Sequence, residues 1–275
     1  MKALLNPWGF LKAYSFKLGY WFKWHLPQHI ISCKLLCGKL FVRFLKKGPF
    51  RISLKIDGEP NSIYFNKLAQ ERMFGENCVL WDIYQKHSEA FQLDPIRLLN
   101  FIYVSRDILS AENPTSIVEC GVYDGTSALL LADLFPKAKV HLFDTFESFD
   151  SRDIQVESDM GFETYEKMFE CSSDQEAKLK KLRPNFIIHK GYFPDTIPSN
   201  FKSESFSLVH LDMDLYQPTL TAIEYFYPKL TTNGRIIVHD GIAWQGIEKA
   251  VRICQEKFGY KIFNVGDKSG SLVIA

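Results

Sequence analysis

Residues 116–127 read Ser-Ile-Val-Glu-Cys-Gly-Val-Tyr-Asp-Gly-Thr-Ser. An apolar, β-prone run ends in Glu119, a turn carries Gly121 and Gly125, and a helix opens at Thr126 or Ser127. Glu119, Gly121 and Gly125 spell E-x-G-x-x-x-G. A pyrophosphate needs the tighter G-x-G-x-x-G turn at a helix N-terminus. A looser turn headed by a carboxylate suits a ligand that lacks phosphate and carries positive charge.

Downstream of this run the pattern alternates strand and helix, which predicts an α/β fold with a parallel sheet. Strands are expected at 116–120, 140–144, 186–190, 207–212, 235–239 and 261–265. A last strand at 271–275 follows the turn 266–270, so residues 261–275 read as a terminal antiparallel hairpin. Plain dinucleotide-binding folds lack that hairpin. In an open sheet of this kind ligands bind beyond the carboxyl ends of the strands. Those ends carry Glu119, Asp144, the turn 191–198, Asp212 and His239-Asp240. One strand-end acid is as often a helix cap. Four carboxylates brought together repel one another unless something positive joins them.

The remaining sequence divides into two upstream parts. Residues 1–56 hold eleven of the 33 Lys and Arg and no Asp or Glu, which leaves 22 bases to face all 32 acids. Aromatic side chains such as Trp8, Tyr20, Trp21 and Trp24 interleave with these bases. Such an arm either lies on an anionic membrane surface, with residues 1–48 as the contact, or packs on the core or on a second copy of the chain. A basic stripe alone specifies no nucleic acid, and none is expected. Residues 57–111 read as a helical cap, with the best helix N-capped by Asp94 and carrying Pro95 at its first position. The segment either covers the site or merely packs on the sheet. The acidic stretch 145–185 reads as a short helix plus a lid, or as a solvated helix. His210 sits inside an apolar strand and reads as a core histidine, while Tyr216 and Gln217 open the helix after strand four.

At 46% apolar and 24% charged the chain has the composition of an ordinary globular protein. Its six cysteines form no C-x-x-C and no zinc-ligand spacing, so they read as reduced thiols in a cytoplasmic setting. No uncharged apolar run reaches the roughly 18–20 residues of a membrane span, and no secretory signal is legible near the start.

The runs 119–126, 143–149, 191–198 and 211–219 resemble the macrocin O-methyltransferase (TylF-like) family of class I S-adenosylmethionine (SAM) methyltransferases. The likeness covers about residues 112–260. It implies a Rossmann-like, seven-stranded methyltransferase domain over 112–275 and a sugar or glycosylated small molecule as the hydroxyl acceptor. It also implies that Glu119, Gly121, Tyr123, Gly125, Thr126 and Ser127 hold the methionine end of SAM. Asp144 and Thr145 would meet the ribose, and Gly191 and Phe193 the adenine. Asp212 would border both cofactor and acceptor. The family holds a divalent ion such as Mg²⁺ with acids after strands four and five, where this chain has Asp212, His239 and Asp240. These three are also the catalytic candidates. The family's Asp-Asp-Tyr reads His239-Asp240-Gly241 here, which removes one negative charge from a site where Mg²⁺ prefers oxygen. His239 is then a ligand, a general base or a structural residue, and Asp214 touches metal, substrate or the next helix. Other classes stay open: a nicotinamide oxidoreductase on a similar sheet, or a SAM-binding protein without turnover at the inner face of a membrane.

Overall fold

The computed structural model describes residues 79–162, 169, 171–241 and 243–275. The arm expected over 1–56 and the part of the cap at 57–78 lie outside the described residues. Among those described, two helices come first: α1 (Val79–His87) and α2 (Pro95–Ala111). An alternating series follows: β1 (Ser116–Cys120), α3 (Thr126–Leu134), β2 (Lys139–Asp144), α4 (Ser151–Asp159), α5 (Gln175–Leu182) and β3 (Phe186–Lys190). The chain continues with β4 (Phe206–Leu211), α6 (Tyr216–Phe226), β5 (Leu230–Val238), α7 (Gln245–Phe258), β6 (Ile262–Asn264) and β7 (Leu272–Ile274).

The seven strands form one sheet in the order β3-β2-β1-β4-β5-β7-β6. β1 pairs in parallel with β2 and β4, and β7 runs antiparallel between β5 and β6. The expected terminal hairpin is therefore present, with its second strand inserted next to β5. The order reverses at β1, between its neighbours β2 and β4. A cleft opens at such a reversal because the crossovers on its two sides leave in opposite directions. β1 and β4 are buried along their whole length, as central strands of a doubly covered sheet are, although each carries polar residues (Ser116 and Glu119; Ser207 and His210).

Nine of the fourteen strand limits differ from expectation, all but the start of β5 by one residue. β4 ends at Leu211, so Asp212 stands one residue beyond it, and β5 starts at Leu230 and ends before His239. Period-two patterning marks where a strand lies better than where its last ladder bond forms. Helix α2 starts as expected: Asp94 Oδ1 accepts the Arg97 amide at 3.2 Å and Pro95 occupies the first position. Its other side-chain oxygen accepts the Lys268 amide at 3.0 Å, which fastens the helix to the β6–β7 turn. Helix α2 also packs against β5. Its Phe101 is fully buried and lies edge-on to both His210 and His239, at 4.9 and 5.3 Å between ring centres. Burial of such a ring contributes about 2–3 kcal/mol. No described helix is long and apolar enough to cross a membrane.

Candidate functional site

A cavity of about 460 Å³ opens at the carboxyl edge of the sheet, at the strand-order reversal. The β1 turn lines it with Gly121, Tyr123, Thr126 and Ser127, and the end of β2 with Asp144 and Thr145. Gly191 and Phe193 enter from the end of β3, and Asp212, His239 and Asp240 from the ends of β4 and β5. Glu119 and Gly125 do not line it. Glu119 lies within β1 with no exposed surface, and the space beside Gly125 is closed by Leu179.

Local geometry explains the turn residues. Gly121 has φ 85°, and a Cβ there would collide with the Asp212 carbonyl oxygen. Both the left-handed backbone and the close approach of two strand ends demand glycine. Asp144 then fixes the turn. Its Oδ2 accepts the Val122 and Tyr123 amides at 2.6 and 2.9 Å, and its Oδ1 accepts the Phe146 amide at 2.6 Å. Four of the five non-glycine residues with positive φ among those described also line the cavity: Tyr123, Phe169, Asp214 and Asp240. Left-handed backbone at non-glycine residues costs energy and gathers where geometry serves a ligand.

The four strand-end acids coexist because each has its own partner. Asp144 is held by amides, as above. Glu119 Oε1 lies 2.8 Å from His210 Nδ1, and His210 Nε2 lies 2.8 Å from His239 Nδ1. His239 Nδ1 is also 3.2 Å from Asp212 Oδ2. Asp240 Oδ1 accepts from Arg97 Nη2 at 2.5 Å, and Arg97 Nη1 stands 4.0 Å from Asp212 Oδ2. The buried row Glu119–His210–His239–Asp212 thus runs from under the turn to the cavity wall.

Protonation follows from these contacts. Burial holds His239 well below the ordinary histidine value, and His210 beside it adds to that effect, so the imidazole is neutral at pH 7. Burial raises Asp212, but its contact with His239 and the nearness of His210 and Arg97 together outweigh that and hold it below the usual carboxylate range. A carboxylate only accepts, so the His239 nitrogen facing it, Nδ1, carries the hydrogen. Nε2 then keeps a lone pair and, although buried, has no protein partner. Asp214 goes the other way: burial and the charges of Asp212 and Asp240 raise it strongly, so it is largely protonated at neutral pH.

The structure does not assemble the expected metal set. Oxygens of Asp212, Asp214 and Asp240 come within 4.8 Å of one another, and His210, Asp212 and His239 form a second such group. His239 and Asp240 share no group. The guanidinium of Arg97 already pairs with Asp240 beside the acidic trio, and His239 turns Nδ1 toward Asp212 and His210. With Arg97 standing there, the residues do not fit a divalent ion.

Two participants escaped the sequence reading. Arg97 lies in the first turn of α2, where the helix dipole disfavours a cation. That mild bias was the one local signal, and it does not by itself point to partners on distant strands. His210 was expected as a core histidine, and it is fully buried and partnered. Its link to His239 is visible only once β4 and β5 are paired, in a register that sets His210 opposite Ile237.

The sequence model of the family described as macrocin O-methyltransferase (TylF) matches residues 94–261. An enzyme of Streptomyces olivaceus, 8-demethyl-8-(2,3-dimethoxy-alpha-L-rhamnosyl)-tetracenomycin-C 4'-O-methyltransferase, is 26% identical over 164 residues. That stretch is 52% of this chain and 59% of the relative. Demethyldecarbamoylnovobiocin O-methyltransferase of Streptomyces niveus is 22% identical over 174 residues, 59% of this chain and 66% of its own. The chain therefore spans less than two thirds of either relative. Among solved structures, the O-methyltransferase NovP superposes with a TM-score of 0.54 at 20% identity over 65% of this chain and 78% of its own. A calicheamicin methyltransferase gives 0.54 at 19% identity over 74% of this chain and 95% of its own. Both likenesses concern the fold.

Proposed function

The chain belongs to the macrocin O-methyltransferase family, and from that premise we propose that it is a SAM-dependent O-methyltransferase acting on a hydroxyl of a sugar or glycosylated small molecule. The observation that carries the proposal is the acid-lined cavity at the strand-order reversal, with Asp144 fastened to the Gly121 turn. Asp124, Asp144, Asp150, Asp212 and Asp240 give the wall a negative field that favours a cationic ligand such as a sulfonium carrying an ammonium group. Gly121, Tyr123, Thr126 and Ser127 would hold its amino-acid end, Asp144 its ribose and Phe193 its base. Bound SAM supplies an activated methyl group, open to in-line displacement by oxygen.

The chain's own contribution is alignment and proton removal. A neutral alcohol is too weak a nucleophile, and a positioned base adds about 10²–10⁴ in rate. His239 is suited to that role by its neutral ring and the free lone pair on Nε2. His210 and Glu119 hold its orientation from behind, and Asp212 favours the imidazolium that forms. The acceptor hydroxyl must come within about 3 Å of Nε2.

The test is S-adenosylhomocysteine release over a panel of glycosides, read by mass spectrometry. His239→Ala is expected to lower turnover about 10²-fold or more while SAM affinity stays unchanged. A variant as fast as the parent would remove His239 from the chemistry. Residues 1–48 are further proposed to meet anionic lipid, and equal pelleting with liposomes after their deletion would end that idea.

A further inference from the structure

We propose that Arg97 is the resident cation of this site, standing where a divalent ion would otherwise be needed, so that the enzyme works without metal; the assignment rests on the methyl-transfer reading of the same cavity. Three oxygen donors from Asp212, Asp214 and Asp240 lie within 4.8 Å of one another. Such a set is what a hard cation requires. The charge is met from within the chain instead. Arg97 Nη2 lies 2.5 Å from Asp240 Oδ1, and Nη1 lies 4.0 Å from Asp212 Oδ2.

The guanidinium is held in place by more than these acids. Nη2 also donates to Ser269 Oγ at 2.8 Å, and the nearby charges of Asp94 and Asp267 favour its ionised form. Asp94 anchors the whole arrangement: one side-chain oxygen caps α2 at the Arg97 amide and the other accepts from Lys268. Arg97 therefore reaches the acids from a helix start that is itself fastened to the β6–β7 turn. A guanidinium cannot lose its proton in the working range, so the site keeps this charge at any metal concentration.

His239 fits the same account. Where the family resemblance sets an acid, this chain has an uncharged imidazole, turned toward Asp212 and His210. The site thus has one carboxylate fewer than the resemblance implies, and a fixed guanidinium stands beside those that remain. Each change lowers its attraction for a divalent ion.

The experiment is titration of the full chain with Mn²⁺, followed by loss of its free electron paramagnetic resonance signal. The parent and Arg97→Lys are expected to take up no stoichiometric Mn²⁺. Arg97→Ala is expected to bind about one ion per chain, because the trio of carboxylates is released. Arg97→Ala/Asp214→Asn is expected to lose at least about tenfold of that affinity, which places the ion among these acids. Near-ultraviolet circular dichroism checks that each variant is folded. Stoichiometric Mn²⁺ on the parent overturns the proposal, and so does a folded Arg97→Ala chain that binds none. The two readings fail separately: stoichiometric Mn²⁺ on a parent that binds SAM overturns the Arg97 assignment alone, whereas a folded parent that binds no SAM overturns the methyl-transfer reading and with it the claim of an enzyme working without metal.

Discussion

Single residues carry opposite electrostatic loads in one cavity. Burial raises Asp153 to about 6, although the Tyr192 hydroxyl, 2.8 Å away, favours its ionised form. An acid with a raised folded-state value binds its proton longer in the native chain than in the unfolded one. Its contribution is favourable below the ordinary value near 4, and stability is lost as pH rises from there through about 6. Asp153→Asn is therefore expected to stabilise the free protein by about 1 kcal/mol at pH 7.5 and to have little effect at pH 4, in urea unfolding monitored by fluorescence. No gain at pH 7.5 would show that the carboxylate is better solvated than its burial indicates. Gly121 is the opposite kind of position, since any side chain meets the Asp212 carbonyl oxygen on a left-handed backbone. Gly121→Ala is expected to cost at least about 2 kcal/mol, and an unchanged thermal midpoint would contradict that. The glycine, Asp144 and the strand-end acids were legible in sequence, because spacing after a strand reports the turn directly. The partners that make four acids tolerable were not, since Arg97 and Asp240 are separated by 143 positions and meet only through the fold.

Elements set how these residues meet. Helix α4 belongs to the acidic stretch expected to hold a short helix and a lid, and it packs on α6. The link is specific: Glu157 of α4 accepts the Tyr216 amide at the start of α6. A carboxylate at a helix N-terminus satisfies an otherwise free amide and meets the positive end of the dipole. Glu157→Ala is expected to destabilise the chain by about 1–2 kcal/mol in thermal unfolding. It is also expected to speed hydrogen exchange in α4 before the sheet, and uniform exchange would show that α4 is held by other contacts. Asp94 ties α2 to the β6–β7 turn in the same manner. The α2 start was readable from Asp94-Pro95, a local signal. The α4–α6 link was not, because a glutamate inside an acidic run has the same local appearance whether it faces water or the end of a distant helix.

At the scale of the whole molecule the sheet order determines where chemistry is possible. The reversal at β1 opens the cleft, the antiparallel β7 closes the far side of β5, and α2 lays Arg97 across the acids at the β4 and β5 ends. The alternation of strands and helices predicted the parallel sheet and the terminal hairpin, but the strand order and the placement of Arg97 follow only from contacts made in the fold. The central claim is that this acid-lined cleft holds SAM. It is tested most directly by calorimetric titration of the parent chain and of Asp144→Asn with SAM, and of the parent with NADH. The account predicts saturable heat for SAM at about one ligand per chain, a large loss of affinity in Asp144→Asn, and no heat with NADH. Saturable binding of NADH, or none of SAM by the folded parent, would contradict it.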